Sequence, residues 1–111
     1  MQIKVEEYVE RSGQCPYREW FDRLSPSYAA KVSVALLRLE QGNTSSIKWF
    51  DGLGELRIDW GPGIRIYLAQ DGGDLVILFG GGTKASQAKD IVRAAALLDD
   101  YKARKKQKPK R

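Results

Sequence analysis

Histidine is absent from this chain of 111 residues, and cysteine occurs once, at Cys15. Without histidine the commonest acid–base side chain is missing. With no histidine and one cysteine, the Cys and His spacings that hold zinc are absent. A single thiol cannot close an intrachain disulfide, which suits a reducing cytoplasm. No apolar run approaches the length of a membrane span. The opening stretch MQIKVEEYVE is charged and alternating, unlike a secretory signal. The chain has no internal repeats.

What is present argues for one folded domain. Hydrophobic residues make up 42% of the chain and aromatic residues 10%, enough for a real core at this length. The net charge of +5 is unevenly spread. Residues 102–111, KARKKQKPKR, hold seven of the 19 basic residues and no acid, leaving 12 basic against 14 acidic residues in 1–101. The expected division is therefore a domain over 1–101 and a basic tail over 102–111. Such a tail suits a polyanion such as RNA, or serves as a solvated extension.

Alternation organises the middle of the chain. Glu55 to Trp60 places Leu56, Ile58 and Trp60 on one face and Glu55, Arg57 and Asp59 on the other. Gly61-Pro62-Gly63 turns the chain. Ile64 to Ala69 then alternates again, with Arg65 and Tyr67 on the polar face. A three-residue loop predicts Trp60 opposite Ile64, Ile58 opposite Ile66, Arg57 opposite Tyr67 and Asp59 opposite Arg65. Two arginines and a tyrosine then share a face suited to a phosphate. The plainer outcome is an ion pair of Arg65 with Asp59 and a stack of Arg57 on Tyr67.

Around this hairpin, Gln2–Tyr8 reads as a strand. Pro16 opens a short helix with Tyr17, Trp20, Phe21 and Leu24 at helical spacing. Ser25-Pro26 starts a second, striped by Tyr28, Val32, Ala35, Leu36 and Leu39 and ended by Gly42-Asn43. Ser46–Phe50 is a short strand, with Lys48 able to join the polar face. Leu75–Phe79 is continuously apolar, as in a strand covered on both faces. A last helix over about 86–101 turns Ala88, Ile91, Ala95 and Leu98 inward. The order β-αα-ββββ-α predicts an α+β fold: an antiparallel sheet with an N-terminal helical hairpin and a C-terminal helix packed on it.

Gly80-Gly81-Gly82 falls between the last strand and the last helix. GGGTK lacks the P-loop spacing and its βαβ frame, which excludes that route to nucleotide hydrolysis. The glycines instead allow strand, turn and helix to pack closely, with Lys84 at the rim of the polar face.

Three motifs occur together: GQCPYREWFDRL, the ELRIDWGPGIRIY hairpin and GGGTKASQAKDI. In combination they resemble the RelE/ParE superfamily of bacterial toxins, in particular its HigB-like, phage-associated branch of addiction-module killer proteins. The resemblance runs from Tyr8 to about Leu98. It implies a small cytoplasmic toxin of a type II toxin–antitoxin system, neutralised in a hetero-oligomer by a cognate helix-turn-helix antitoxin. Many relatives cleave mRNA on the ribosome with no metal and no cofactor. Arg57 matches the arginine of E-L-R, Arg65 and Tyr67 match R-x-Y, and Lys84, Gln87 and Asp90 match K-x-x-Q-x-x-D-I. Gyrase-poisoning ParE members share the fold, so a gyrase inhibitor without nuclease activity, or a non-catalytic RNA- or protein-binding module, is the alternative.

Metal-free RNA cleavage sends the 2′-OH against the adjacent phosphate. It needs a base, cations for the charge developing on phosphorus, and an acid for the leaving oxygen. Arg57 and Arg65 suit the cationic task, with bidentate geometry. Tyr67 or Lys84 would then act as acid or base, with a pKa lowered by neighbouring cations. Glu55 and Asp90 are further candidates for the base. Lys48, Gln87, Lys102, Arg104, Lys105 and Lys106 are the candidate RNA contacts, and Trp49 and Trp60 candidate stacking platforms, with Trp60 placed in the core by its face.

Overall fold

The computed structural model describes residues 2–107. After a first strand, β1 (Lys4–Glu7), two prolines set the helices. Pro16 opens α1 (Pro16–Asp22) and Pro26 opens α2 (Pro26–Glu40), each where the missing N–H would have had no intrahelical partner. Ser25 caps α2, its Oγ accepting from the Tyr28 backbone N–H at 3.4 Å. Strands β2 (Ile47–Phe50), β3 (Leu53–Ile58), β4 (Ile64–Asp71) and β5 (Leu75–Thr83) follow, then a 3-10 turn (Lys84–Ser86) and α3 (Gln87–Gln107).

The fold is α+β, with a five-stranded mixed sheet ordered β1-β5-β4-β3-β2. The expected antiparallel sheet needs one correction: β1 runs parallel to β5, Val5 lying opposite Val76. Side-chain alternation looks the same in either strand direction, so the sequence pattern carries no signal for this pairing. Both faces of the sheet are covered. Ile3, Val32, Leu39, Leu56, Ile66, Leu68 and Leu78 form the core under α1 and α2. Tyr8, Leu53, Tyr67, Ala69, Ile77, Phe79, Leu97 and Leu98 form a second core under α3. The inward stripe of α3 differs from the expected one, with Ala94 and Leu97 buried and Ala88 exposed.

The central hairpin is also corrected. β3 stops at Ile58, and residues 59–63 form a five-residue loop with Gly61 and Gly63 at positive φ. Ile58 therefore faces Ile64, Leu56 faces Ile66, and Arg57 faces Arg65. The register moves by two residues, which keeps every side chain on its expected face and changes only its partner. Trp60 packs against the α1/α2 core, its ring edge-on to Tyr28 at 5.0 Å.

The glycine run lies inside β5 rather than in a turn after it. A Cβ at Gly81 would lie 2.6 Å from the Trp20 indole of α1, and one at Gly82 would collide with Ser86 and Asp90 of the following turn and α3. These two glycines let helices close on the strand from both sides. Gly80 has nothing within 4 Å of its Cβ direction.

The basic segment is not a tail from residue 102. α3 continues to Gln107, and residues 108–111 lie outside the described residues. Arg104 donates to the Val9 carbonyl at 2.7 Å and to Tyr8 Oη at 3.1 Å, and Lys105 reaches Asp71 at 2.7 Å. A cut after Tyr101 would remove docked structure. Among the described residues no helix is long and apolar enough to cross a membrane.

The two flanking glycines make a paired prediction. Gly81→Ala should destabilise the fold by roughly 1–3 kcal/mol, because the indole cannot retreat without disturbing the core. Gly80→Ala should stay within about 0.5 kcal/mol of the parent. Urea denaturation of both variants measures the contrast; equal effects would contradict this account of the glycine run.

Candidate functional site

The register builds a grid of side chains on the α3 face of the sheet. One row runs Lys48, Glu55, Tyr67, Gly80 across β2, β3, β4 and β5. The next runs Arg57, Arg65, Gly82 across β3, β4 and β5. Two arginines directly opposed would repel. Glu55, one step along the same face, sits between them and is only 1% exposed.

Glu55 meets donors from three elements. Arg57 Nε donates to its Oε1 at 2.9 Å. Gln87 Nε2, in the first turn of α3, donates to Oε2 at 2.9 Å. Arg65 Nε stands 3.7 Å from Oε2, an ion pair without a hydrogen bond. Burial by itself pushes the Glu55 carboxyl upward. The hydrogen bonds from Gln87 and Arg57, helped by the nearby Tyr67 hydroxyl and the Arg57 charge, outweigh it, and the net shift is downward. A carboxylate so engaged anchors cations; it is poorly placed as the base once considered for it. The anticipated pairs of Arg65 with Asp59 and of Arg57 with Tyr67 give way to this shared carboxylate.

The two arginines differ in access. The Arg57 side chain is 47% exposed and the Arg65 side chain 13%. Arg57 presents its remaining N–H groups to solvent, and the Arg65 guanidinium reaches toward the 59–63 loop near Gly63.

Tyr67 lies deep under α3, 1% exposed. Its pKa is raised, by burial first and then by the charge of Glu55 beside it, which reverses the expected lowering. It is a neutral hydroxyl at any physiological pH, a donor rather than a base. That hydroxyl lies near Glu55 without completing a hydrogen bond and has no partner among the described residues. Beside Tyr67 lies a cleft of about 410 Å³ between α1, the glycine run and α3, lined also by Trp20, Ser86, Asp90 and Arg93. Asp90 accepts from Ser86 Oγ at 2.5 Å.

The remaining candidates divide. Lys84, in the 3-10 turn, and Lys48, on edge strand β2, are exposed at the rim of the grid. Gln87 belongs to the site itself. Lys102, Arg104, Lys105 and Lys106 lie at the far end of α3, about 25 Å along the helix axis from Gln87 at 1.5 Å per residue. Arg104 and Lys105 are occupied holding α3 to the 8–9 segment and β4, and Lys102 and Lys106 are exposed. Trp49 is exposed on β2 opposite Gly54, one position out of step with Lys48 and so on the other face.

Sequence reading missed two features. The cleft needs Trp20 and Arg93, helix residues whose only signal was their type. A groove of about 360 Å³ between α2 and the end of β3 gathers Lys31, Arg38 and Trp60, with Lys31 Nζ 5.5 Å over the Trp60 ring. The seven-residue spacing of Lys31 and Arg38 on one helix was its available signal.

No model of a known protein family matches this chain. It is 43% identical over 86 residues to a Haemophilus influenzae protein described as uncharacterized, a match covering 76% of this chain and 87% of that protein. The chain belongs to the same family as that protein.

The Glu55 network makes a pH prediction. Its folded pKa lies below the ordinary carboxylate value of about 4.5, so the stability it contributes is fully present above that pH and is lost as pH falls toward the folded pKa. Glu55→Gln should be less stable than the parent at pH 7, and the gap should narrow from about pH 5 downward. Urea midpoints from pH 7 to pH 3 test this. A gap that widens on acidification would show that the carboxylate is not the stabilised form.

Proposed function

We propose that this protein is a toxin of the RelE/ParE type, a metal-free, ribosome-associated endoribonuclease that arrests translation in the cytoplasm and is neutralised by a cognate helix-turn-helix antitoxin. The observation that carries the reading is the buried Glu55 holding Arg57 and Arg65 side by side with part of each guanidinium uncommitted. The motif resemblance and the α+β arrangement, with a helical hairpin on one face of the sheet and a long C-terminal helix on the other, support it.

In this reading the scissile phosphate sits against Arg57 and Arg65 at the rim. The RNA 2′-OH gives up its proton to water as it attacks phosphorus, the bond to the 5′ oxygen breaks as that oxygen takes a proton from Lys84, and a 2′,3′-cyclic phosphate and a 5′-OH end result. The arginines stabilise the charge gathering on the phosphoryl oxygens, fixed in place before the reaction. Lys84 is the exposed group at the rim for proton transfer, and the neutral Tyr67 hydroxyl stays buried beside Glu55 beneath the arginines. Glu55 acts through the arginines as a positioning residue.

Induced expression should arrest growth and produce new 5′-OH ends within translated mRNAs. Arg57→Ala should lower cleavage about 10²- to 10³-fold, the loss typical of one preorganised charge-stabilising donor, and should also cost some stability because it takes a hydrogen bond from the buried Glu55, so cleavage is compared under conditions where the variant is folded. Mapping 5′-OH ends in arrested cells is the measurement. Arrest with DNA-damage signalling and no new RNA ends would transfer the assignment to gyrase; full toxicity of a folded Arg57→Ala variant would move the site.

A further inference from the structure

The cleft beside the arginine pair has chemistry that phosphate binding does not use. β1 pairs only with Leu75–Leu78, so β5 has no strand neighbour on that side beyond Leu78. The cleft occupies this gap, walled by α1 on one side and α3 on the other. At about 410 Å³ it falls within the range of small-ligand sites. Its floor is Gly80, whose missing side chain leaves free space. Tyr67 also lines it, with its hydroxyl buried beside Glu55.

We propose that this cleft is a nucleobase pocket that selects guanine in single-stranded RNA, with the Asp90 carboxylate reading the Watson–Crick edge. The choice of RNA as ligand rests on the proposed function; the base preference rests on the residues of the cleft. Single-stranded RNA is recognised by bases splayed from the strand, stacked on aromatic rings and hydrogen-bonded along their edges. Trp20 supplies an aromatic wall and Gly80 the room for a ring to enter.

Asp90 sets the selection. One of its oxygens, Oδ2, accepts from Ser86 and is fixed by that bond. A carboxylate offers only acceptors, and lone pairs remain after the Ser86 bond. Guanine presents two adjacent donors, N1–H and the exocyclic N2–H. Adenine and cytosine set an acceptor beside their donor, and uracil flanks its single donor with carbonyls. Only guanine matches without an acceptor-to-acceptor clash, and such unpaired groups are what produce large discrimination. Arg93 at the mouth suits the O6 and N7 acceptors of the same base, the pairing arginine makes with guanine elsewhere.

The test is an amide NMR titration of the full chain with GMP, AMP, CMP and UMP, four probes sharing one phosphate and sugar. GMP should shift Gly80, Gly81 and Gly82 and the Trp20 indole N–H saturably, and bind at least tenfold more tightly than the other three. Asp90→Asn should remove the preference, and Gly80→Val should abolish binding by filling the floor in a strand position that accepts a side chain. Equal affinities for the four nucleotides, shifts confined to the Lys31 and Arg38 groove, no binding at all, or unchanged GMP binding by Gly80→Val would each overturn the pocket. The readout involves no cleavage. A chain without nuclease activity that still selects GMP here would sink the nuclease reading alone, and a nuclease indifferent to the base would sink the pocket alone.

Discussion

A carboxylate buried to 1% exposure cannot remain charged in a protein interior without compensation, and Glu55 is compensated from three directions. Arg57 lies two residues along its own strand, Arg65 on the neighbouring strand, and Gln87 at the start of α3. The desolvation penalty of the carboxylate is met only when all three elements are in place. The same arrangement relieves the repulsion between two arginines that the register sets face to face. One acid thus ties the hairpin to the last helix and holds two cations at the surface of the sheet.

The glycine run complements that anchor. α3 can begin where Gln87 reaches Glu55 because Gly82 lets Asp90 and Ser86 close on β5. Trp20 can lie against Gly81 from the opposite face. The tight approach of both helices at one end of β5 closes the second core over Tyr67, and the short β1 leaves the cleft beside it. At the other end α3 is held by Tyr8, which donates to Asp100, and by the contacts of Arg104 and Lys105. Arg104 and Lys105 there serve the fold, and Lys102 and Lys106 are exposed.

Much of this was legible in the sequence because side-chain periodicity reports faces faithfully. The faces of Leu56, Ile58, Arg57, Arg65 and Tyr67 follow from alternation alone, as do the element order, both proline-led helix starts and the sharing of one face by Lys48 and Arg57. Partners were not legible. Alternation has a period of two, so a hairpin shifted by two residues leaves the same pattern, and Gly61-Pro62-Gly63 does not reveal how many flanking residues join the loop. For the same reason the parallel pairing of β1 was hidden. Tyr67 looked exposed because a tyrosine on a polar strand face has no local mark of burial; only the seating of α3 over that face raises its pKa instead of lowering it. Glu55 looked like a possible base because its saturation by Gln87, 32 residues away, is a tertiary fact.

The central claim is that Glu55 positions Arg57 and Arg65 to receive an RNA phosphate. Its most direct test is to follow the arginine Nε–H resonances by NMR while adding a short single-stranded RNA whose 2′-OH groups are replaced by 2′-methoxy, so that it binds without being cut. The account predicts saturable shifts of both Arg57 and Arg65 in the parent. It predicts a weaker affinity in a folded Glu55→Gln variant, whose neutral side chain no longer pins the pair. Saturating RNA that leaves both resonances unmoved, or identical affinity in the variant, would contradict it.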